Sequence, residues 1–271
     1  MTEFVDRRGV LYPAALPTFR RIPAPADLRE QIRWFWLPRW HLAPGRTSRQ
    51  HLLPFPASNL VVQSGWSGDA ASGDAAPVVS IAGPSTRATH RDLHGDGWAV
   101  GVLLRPAGVA GLGVEPRQLR DSETVFDAPD LLAAVTSAMA DPDADHAAEQ
   151  ASSRFADWLR RTLPEPDVAA RQANTLEDLV ATDRTIHRVD NLADRLSTST
   201  RSVQRTADRY IGLTPLAIIR RYRLQDAADR LRTDPDVTIA AVAADVGYAD
   251  QSHFSADFKR TLGFPPSRYS A

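Results

Sequence analysis

Two hydrophobic periods divide this chain. Up to about residue 125, apolar residues come in short runs: Ile32–Pro38, Asn59–Gln63, Val78–Ala82 and Ala99–Leu104. Runs such as LVVQ and AVGVLL have the length of strands and are too short for independent helices. Turn-forming segments separate them at Pro44-Gly45, Ser64–Gly73, Gly83-Pro84 and Gly95-Asp96-Gly97. Many short strands with this punctuation predict a β-barrel or sandwich. From Ala128 to Asp183 the period lengthens to that of a helix. LLAAVTSAMA, HAAEQASSRFADWLRRTL and VAARQANTLEDLVATD read as helices broken by Asp141-Pro142, Pro164 and Pro166. Phe155, Leu159 and Leu163, with Trp158 alongside, form an apolar stripe that packs on the β part or on a second copy of the chain.

The stretch from Asn191 to Pro215 has a different grammar. Leu192, Ala193 and Leu196 give a short helix one apolar side. Ser197-Thr198-Ser199 then competes with the backbone for hydrogen bonds and breaks it, and Ser199 is placed to cap a second helix. On that second helix Arg201, Arg205 and Arg209 recur every four residues and share a face, with Gln204 beside them. Val203, Ala207 and Tyr210 mark the opposite side. This is the pattern of a helix-turn-helix whose second helix points at nucleic acid.

The pattern repeats. Leu192-Ala193 and Leu196-Ser197 correspond to Val242-Ala243 and Val246-Gly247 at a shift of 50; Val203, Ala207, Gly212 and Pro215 correspond to Phe254, Phe258, Gly263 and Pro266 at a shift of 51. Gly212 and Gly263 fit left-handed helix ends, and Thr214-Pro215 fits an N-cap with proline at the first helical position. Residues 216–232 between the units predict a helix about 25 Å long at ~1.5 Å per residue. Such a strut suits two reading helices about one DNA turn, ~34 Å, apart.

Charge follows the same division. The 271 residues carry a net charge of -1, but the segment from Arg184 to Ala271 has 14 basic and 10 acidic residues, while the remainder has 18 and 23. A basic end on an acidic body fits a nucleic-acid-binding part joined to something else. A hydrophobic share of 43% and a charged share of 24% are those of an ordinary globular protein. Cysteine is absent, which removes disulfides, thiol nucleophiles and thiolate zinc sites. No apolar run reaches ~18 residues, and the start MTEFVDRRGV lacks the form of a signal peptide, so a cytoplasmic location is expected.

Five of the six tryptophans fall in the first part of the chain. Trp34, Trp36, Trp40 and Trp98 are candidates for the wall of a small-molecule pocket, against the plainer reading of core filling. Trp34 and Trp36 share a face if they lie on a strand. His90 and His94, four apart, form a chelating pair only on a helix, and the adjacent Gly95-Asp96-Gly97 argues for a turn, so no metal or other cofactor is expected.

The segments LADRLSTSTRSVQR, GLTP, RRYRLQDAADRL and VAADVGYADQSHFSADFKRTLGFPPSRY together resemble the DNA-binding domain of the AraC/XylS family. The WFWLPRW, HLLPFPASNLVV, GPSTRATH and GVLLRPAGVAGLGVEPRQLRD segments resemble, more loosely, the N-terminal domain of some members. The resemblance implies a cupin-like β sensor part over residues 1–125, a helical linker or dimerisation segment over 126–183 and a DNA-binding domain over 184–271, an α+β multidomain chain overall. By position it implies base contacts from Arg201, Gln204 and Arg205 in the first unit and from Gln251, Ser252, His253 and Ala256 in the second. Thr200, Ser202, Arg209 and Lys259 complete the candidate DNA-contacting set. Arginine pairs bidentately with guanine and glutamine with adenine, so the residue types agree. Arg220, Arg221, Lys259 and Arg260 suit phosphate contacts or solvent.

Two departures from the family stand out: Ala207 where a large aromatic is usual, and Ala256-Asp257 on the second reading helix. The latter shifts the expected base reading toward the first unit. The function expected is a non-enzymatic transcription regulator. Its implied partners are double-stranded promoter or operator DNA, a small-molecule effector, RNA polymerase for an activator, and a second copy of the chain; no membrane is among them. The alternatives are a metal-dependent enzyme on the β part, or a β part that only dimerises.

Overall fold

The computed structural model describes residues 18–52, 54–65, 70–72 and 76–269. The amino-terminal segment, Trp66 and most of GWSGDAASGDAA lie outside the described residues. The strands are β1 (Thr18–Pro23), β2 (Ile32–His41), β3 (Thr47–Leu52), β4 (Asn59–Gln63), β5 (Ala70–Ser72), β6 (Val78–Ala82), β7 (Thr89–His94), β8 (Asp96–Leu104) and β9 (Glu123–Val125). They form a six-stranded sheet, β1-β2-β8-β4-β6-β9, and a three-stranded sheet, β3-β7-β5.

The two faces of the larger sheet differ because side chains alternate along each strand. Phe35, Leu37, Leu60, Val62, Ile81, Val100 and Val102 point one way and share a core with Leu131 and Val135 of α2 (Pro129–Met139) and Phe155 and Leu159 of α3 (Ala144–Thr162). Trp158 and Leu163 are in that core too, so the stripe of the middle segment packs within the chain. The other face carries Trp34, Trp36 and Trp40. Trp36 lies over Gly101 and Trp40 over Gly97; a Cβ on either glycine would stand 2.2 Å from an indole carbon. These glycines are therefore the space that two tryptophans occupy.

Three segments depart from the simple pattern of apolar runs and turns. The run THRDLH, next to a predicted turn, is strand β7, and the turn shrinks to Gly95 at φ +52 while Asp96 and Gly97 begin β8. β7 lacks an apolar run because one face is solvated: Asp92 there pairs with Arg49 of β3 at 2.8 Å. Arg105-Pro106-Ala107-Gly108, directly after the last apolar run, opens α1 (Pro106–Gly111), with proline at its first position.

Beyond α3 run α4 (Val168–Thr182), α5 (Val189–Arg195), α6 (Thr200–Tyr210), α7 (Pro215–Thr233), α8 (Ile239–Asp245) and α9 (Gln251–Leu262). A second core joins Phe55, Ala57 and Leu103 of the β region to Leu176 and Val180 of α4, Leu192 of α5, Val203 and Ala207 of α6, and Ile218, Ile219 and Tyr222 of α7. A third holds Leu224, Ala227 and Leu231 of α7 with Val242, Ala243, Phe254, Phe258, Leu262 and Tyr269. One helix thus serves two cores. Arg223 sits where they meet, 2% exposed. Its guanidinium donates to the carbonyls of Val180, Asp183 and Ile186 at the end of α4, and it pairs with Asp226. It satisfies carbonyls that the helix end leaves free.

Candidate nucleic-acid interface

Both helix-turn-helix units are built by the same local chemistry. In the first, the backbone N–H of Thr198 donates to Ala193 O, and in the second Tyr248 donates to Ala243 O, each at 3.0 Å. The turn residue is left-handed in both: Ser197 at φ +48 and Gly247 at φ +84. Ser199 Oγ then accepts from Ser202 N at 3.2 Å, and the Asp250 carboxylate accepts from His253 N at 2.8 Å. These caps start α6 and α9. Gly212 at φ +79 and Gly263 at φ +86 end them, as the sequence predicts.

On α6, Val203, Ala207 and Tyr210 are buried, while Thr200, Arg201, Gln204, Arg205 and Arg209 are exposed. Ser202 is half-buried and its hydroxyl accepts from Ser199 Oγ at 3.1 Å, so it belongs to the cap. The Arg209 guanidinium lies over the Tyr210 ring, 5.3 Å from its centroid. On α9, Gln251, Ser252, His253, Ala256 and Lys259 are exposed. The His253 ring meets Tyr248 edge-on at 5.3 Å.

Two charges turn out to be structural. Asp257 is 3% exposed and accepts from the Tyr248 hydroxyl at 2.5 Å, with Arg260 completing the pair. Burial, then the hydrogen bond to Asp257, pushes the Tyr248 phenol up and keeps it a donor. Asp257 therefore does not face a phosphate, and only Ala256 still argues for weaker reading by α9. Arg221 is likewise buried at 7% exposure: its Nε donates to Ser85 O at 2.8 Å and its Nη1 to Ala217 O at 2.9 Å. It ties α7 to the β region and offers nothing to a phosphate. The spacing of α7 residues gives no sign of this, because its partner lies 136 residues away. Arg220 is exposed.

The tryptophan set divides. Trp34, Trp36 and Trp40 share the face away from α2 and α3, whereas Trp98 packs against the core on the α2–α3 side. Trp34 meets Phe55 edge-on at 6.3 Å and carries the Arg21 guanidinium 4.3 Å from its ring centroid. Trp36 Nε1 donates to Asn59 Oδ1 at 2.9 Å and Trp40 Nε1 to His94 O at 3.2 Å. A polar cluster that the sequence does not reveal lies between the sheets. Arg91 of β7 donates to Gln63 Oε1 at 2.6 Å and to Glu123 at 2.5 Å, and Ser80 Oγ donates to Glu123 Oε1 at 2.5 Å. His90 and His94 lie on one strand roughly 13 Å apart at ~3.3 Å per residue, too far to chelate. Among the described residues no group of three or more His, Cys, Asp or Glu is placed to hold a metal.

Residues 192–271 match a family model described as a helix-turn-helix domain, and residues 20–124 match one described as a domain of unknown function, DUF6597. A putative AraC-like transcription regulator of Streptomyces lividans is 37% identical over 81 residues, 30% of this chain and 26% of its own. The paired helix-turn-helix geometry and these matches coincide. Over this stretch the carboxy-terminal part of the chain is similar to an AraC-like transcription regulator. The HTH-type transcriptional activator RhaS of Escherichia fergusonii is 37% identical over 75 residues, 28% of this chain and 27% of that protein. The match thus spans about a quarter of the length of each of these relatives. A solved structure of ToxT from Vibrio cholerae aligns over 87% of this chain and 97% of its own, at 15% identity and a TM-score of 0.45. Among the described residues no helix is long and apolar enough to cross a membrane.

Proposed function

We propose that this chain is a sequence-specific DNA-binding transcription regulator whose β region senses a small molecule. The observation that carries the reading is the pair of capped helices α6 and α9, each buried on one side and presenting Arg201, Gln204 and Arg205, or Gln251, Ser252 and His253, on the other. Thr200, Arg209 and Lys259 are proposed as flanking contacts, and Ser202 as a cap residue at the edge of the interface. Residues 1–125, 126–183 and 184–271 are the proposed sensing, connecting and DNA-binding segments. We read the two facing sheets as an open cupin-like barrel, bridged by Arg91. The inner face mixes tryptophans 34, 36 and 40 with amide and carboxylate groups, which suits a small ligand with both apolar and polar parts.

Fragment selection from genomic DNA with the full chain tests the DNA reading. A preferred site is expected, with affinity that falls steeply with salt as phosphate contacts release counterions. Arg201→Ala/Arg205→Ala is expected to lose preference for that site over random DNA; equal affinity for the site in wild type and variant would overturn the assignment. A thermal-shift screen tests sensing, because a ligand selective for the folded state raises its stability.

A further inference from the structure

Two loops of the β region close over the ends of both reading helices. One is residues 113–122, the other residues 83–88. Arg120 donates from Nε and Nη2 to Gly212 O at 3.0 and 2.7 Å, gripping the backbone just past the carboxy-terminal end of α6. The fit is close: a Cβ on Gly212 would stand 2.6 Å from the backbone of Pro116 and Arg117. Arg117 adds an ion pair to Asp208 of α6 at 3.7 Å. The other loop reaches the second unit, where Ala88 N donates to Thr261 O in the last turn of α9 at 2.9 Å. Midway, Ser85 O accepts from Arg221 of α7 at 2.8 Å.

The loops are also tied to each other. The Asp121 carboxylate accepts from Thr86 N at 2.5 Å and from Thr86 Oγ1 at 2.6 Å, and Gly83 N donates to Ser122 O at 3.0 Å. Asp121 holds φ +56, a conformation that a non-glycine residue keeps only where its surroundings impose it. The result is a bracket with one arm on α6, one on α9 and a fixed point on the strut between them. It leaves the exposed sides of α6 and α9 free.

α7 holds the first unit through the core shared with the β region and the second through that unit's own core. The bracket adds a second attachment for each unit, away from the reading faces. We propose that Arg120, Asp121 and Thr86 are positioning residues that set the separation and relative rotation of α6 and α9, and so the spacing between half-sites that the chain accepts. The proposal rests on the DNA-binding reading above. One base pair inserted between half-sites moves the second by about 3.4 Å and turns it by about 35°. A bracketed pair of helices does not follow that change; a released pair does.

The absence of native cysteine allows a direct test, with spin labels at Thr200→Cys and Ser252→Cys in the full chain. The wild-type background is expected to give one narrow distance distribution. Arg120→Ala/Asp121→Ala should broaden it about twofold or more, with Thr86→Val reproducing the effect from the other side of the bridge at unchanged helical circular dichroism. Arg120 and Asp121 are exposed, so neither hydrophobic core is opened by these changes. The second arm uses the duplex that wild type retrieves from a random library, remade with one base pair inserted between the half-sites. Wild type should lose about 30-fold or more in affinity and the double variant about fivefold or less. An unchanged distance distribution, or the same spacing penalty in both proteins, overturns the proposal. A wild type that retrieves no preferred duplex sinks the DNA reading and the spacing role with it, while the label distances still report whether the bracket holds.

Discussion

The two helix-turn-helix units have the same turn, the same capping chemistry and the same glycine at the end of the reading helix, yet they are stabilised differently. The second unit supplies its own aromatic core: Phe258 lies 5.3 Å from Phe254 and 5.2 Å from Tyr269, ring to ring. The first has Ala207 at the matching place and shares a core with the β region, to which Phe55 and Tyr222 bring rings 5.9 Å apart. The alanine is a departure only when the unit is considered alone. A small residue there admits volume from another part of the chain, so the first reader is built into the β region and the second is attached to it.

The comparison breaks first at Phe258. Phe258→Ala is expected to cost about 3–5 kcal/mol in denaturant unfolding, because a fully buried ring has no neighbour from outside the unit to replace it. Ala207→Phe should cost about 1–3 kcal/mol by overpacking. A stabilised Ala207→Phe chain would mean that the first unit holds a void and that the shared core is misjudged.

Base reading is the next largest contrast. Arg201→Ala and Arg205→Ala should each cost about 1–3 kcal/mol of discrimination at the preferred site. Gln251→Ala and His253→Ala should cost less, because Ala256 offers α9 no hydrogen bond. With Asp257 turned inward, that ranking has one support instead of two. Competition binding against single-base variants of the site decides it, and a larger loss from the α9 variants reverses the order.

The turns differ more modestly. Ser197→Gly should stabilise the first unit by about 1 kcal/mol in thermal unfolding by relieving a left-handed serine. Gly247→Ala should destabilise the second by at least as much, since its Cβ would meet the His187 ring at 2.8 Å. The smallest effect is on pH. The His51 ring meets Phe264 of the second unit at 4.9 Å; burial, then His90 opposite, holds its pKa below the ordinary value. The unfolded chain therefore binds more protons between the folded and unfolded pKa values, and stability falls as pH drops below about 6.5. Wild type should lose more thermal stability than His51→Gln between pH 7.5 and 5.5, and equal losses would remove His51 from that contact.

How much of the structure is legible in the sequence depends on how local each cause is. The caps at Ser199 and Thr214, the breaks at Gly212 and Gly263 and the strand runs 59–63 and 78–82 each depend on a few adjacent residues, and each is legible. Strand β7 is not, because its solvated face dilutes the apolar signal. Arg221, Arg223 and Asp257 are charged residues on helices, and a charge pattern alone assigns them to solvent or phosphate. Their partners, Ser85 O, the end of α4 and the Tyr248 hydroxyl, are defined only once the chain has folded.

The divided allegiance of α7 bears on how such chains are cut and recombined. Its first half, through Tyr222, is loyal to the core shared with the sheet, and its second half, from Leu224, to the core of the second unit. The natural seam for a chimera therefore runs through the middle of a helix, at the buried Arg223, and not through any loop. A recombinant that exchanges everything after Arg223 moves one complete core intact. One that cuts between α6 and α7 carries the first half of α7 away from the core it shares with α4, α6 and the β region.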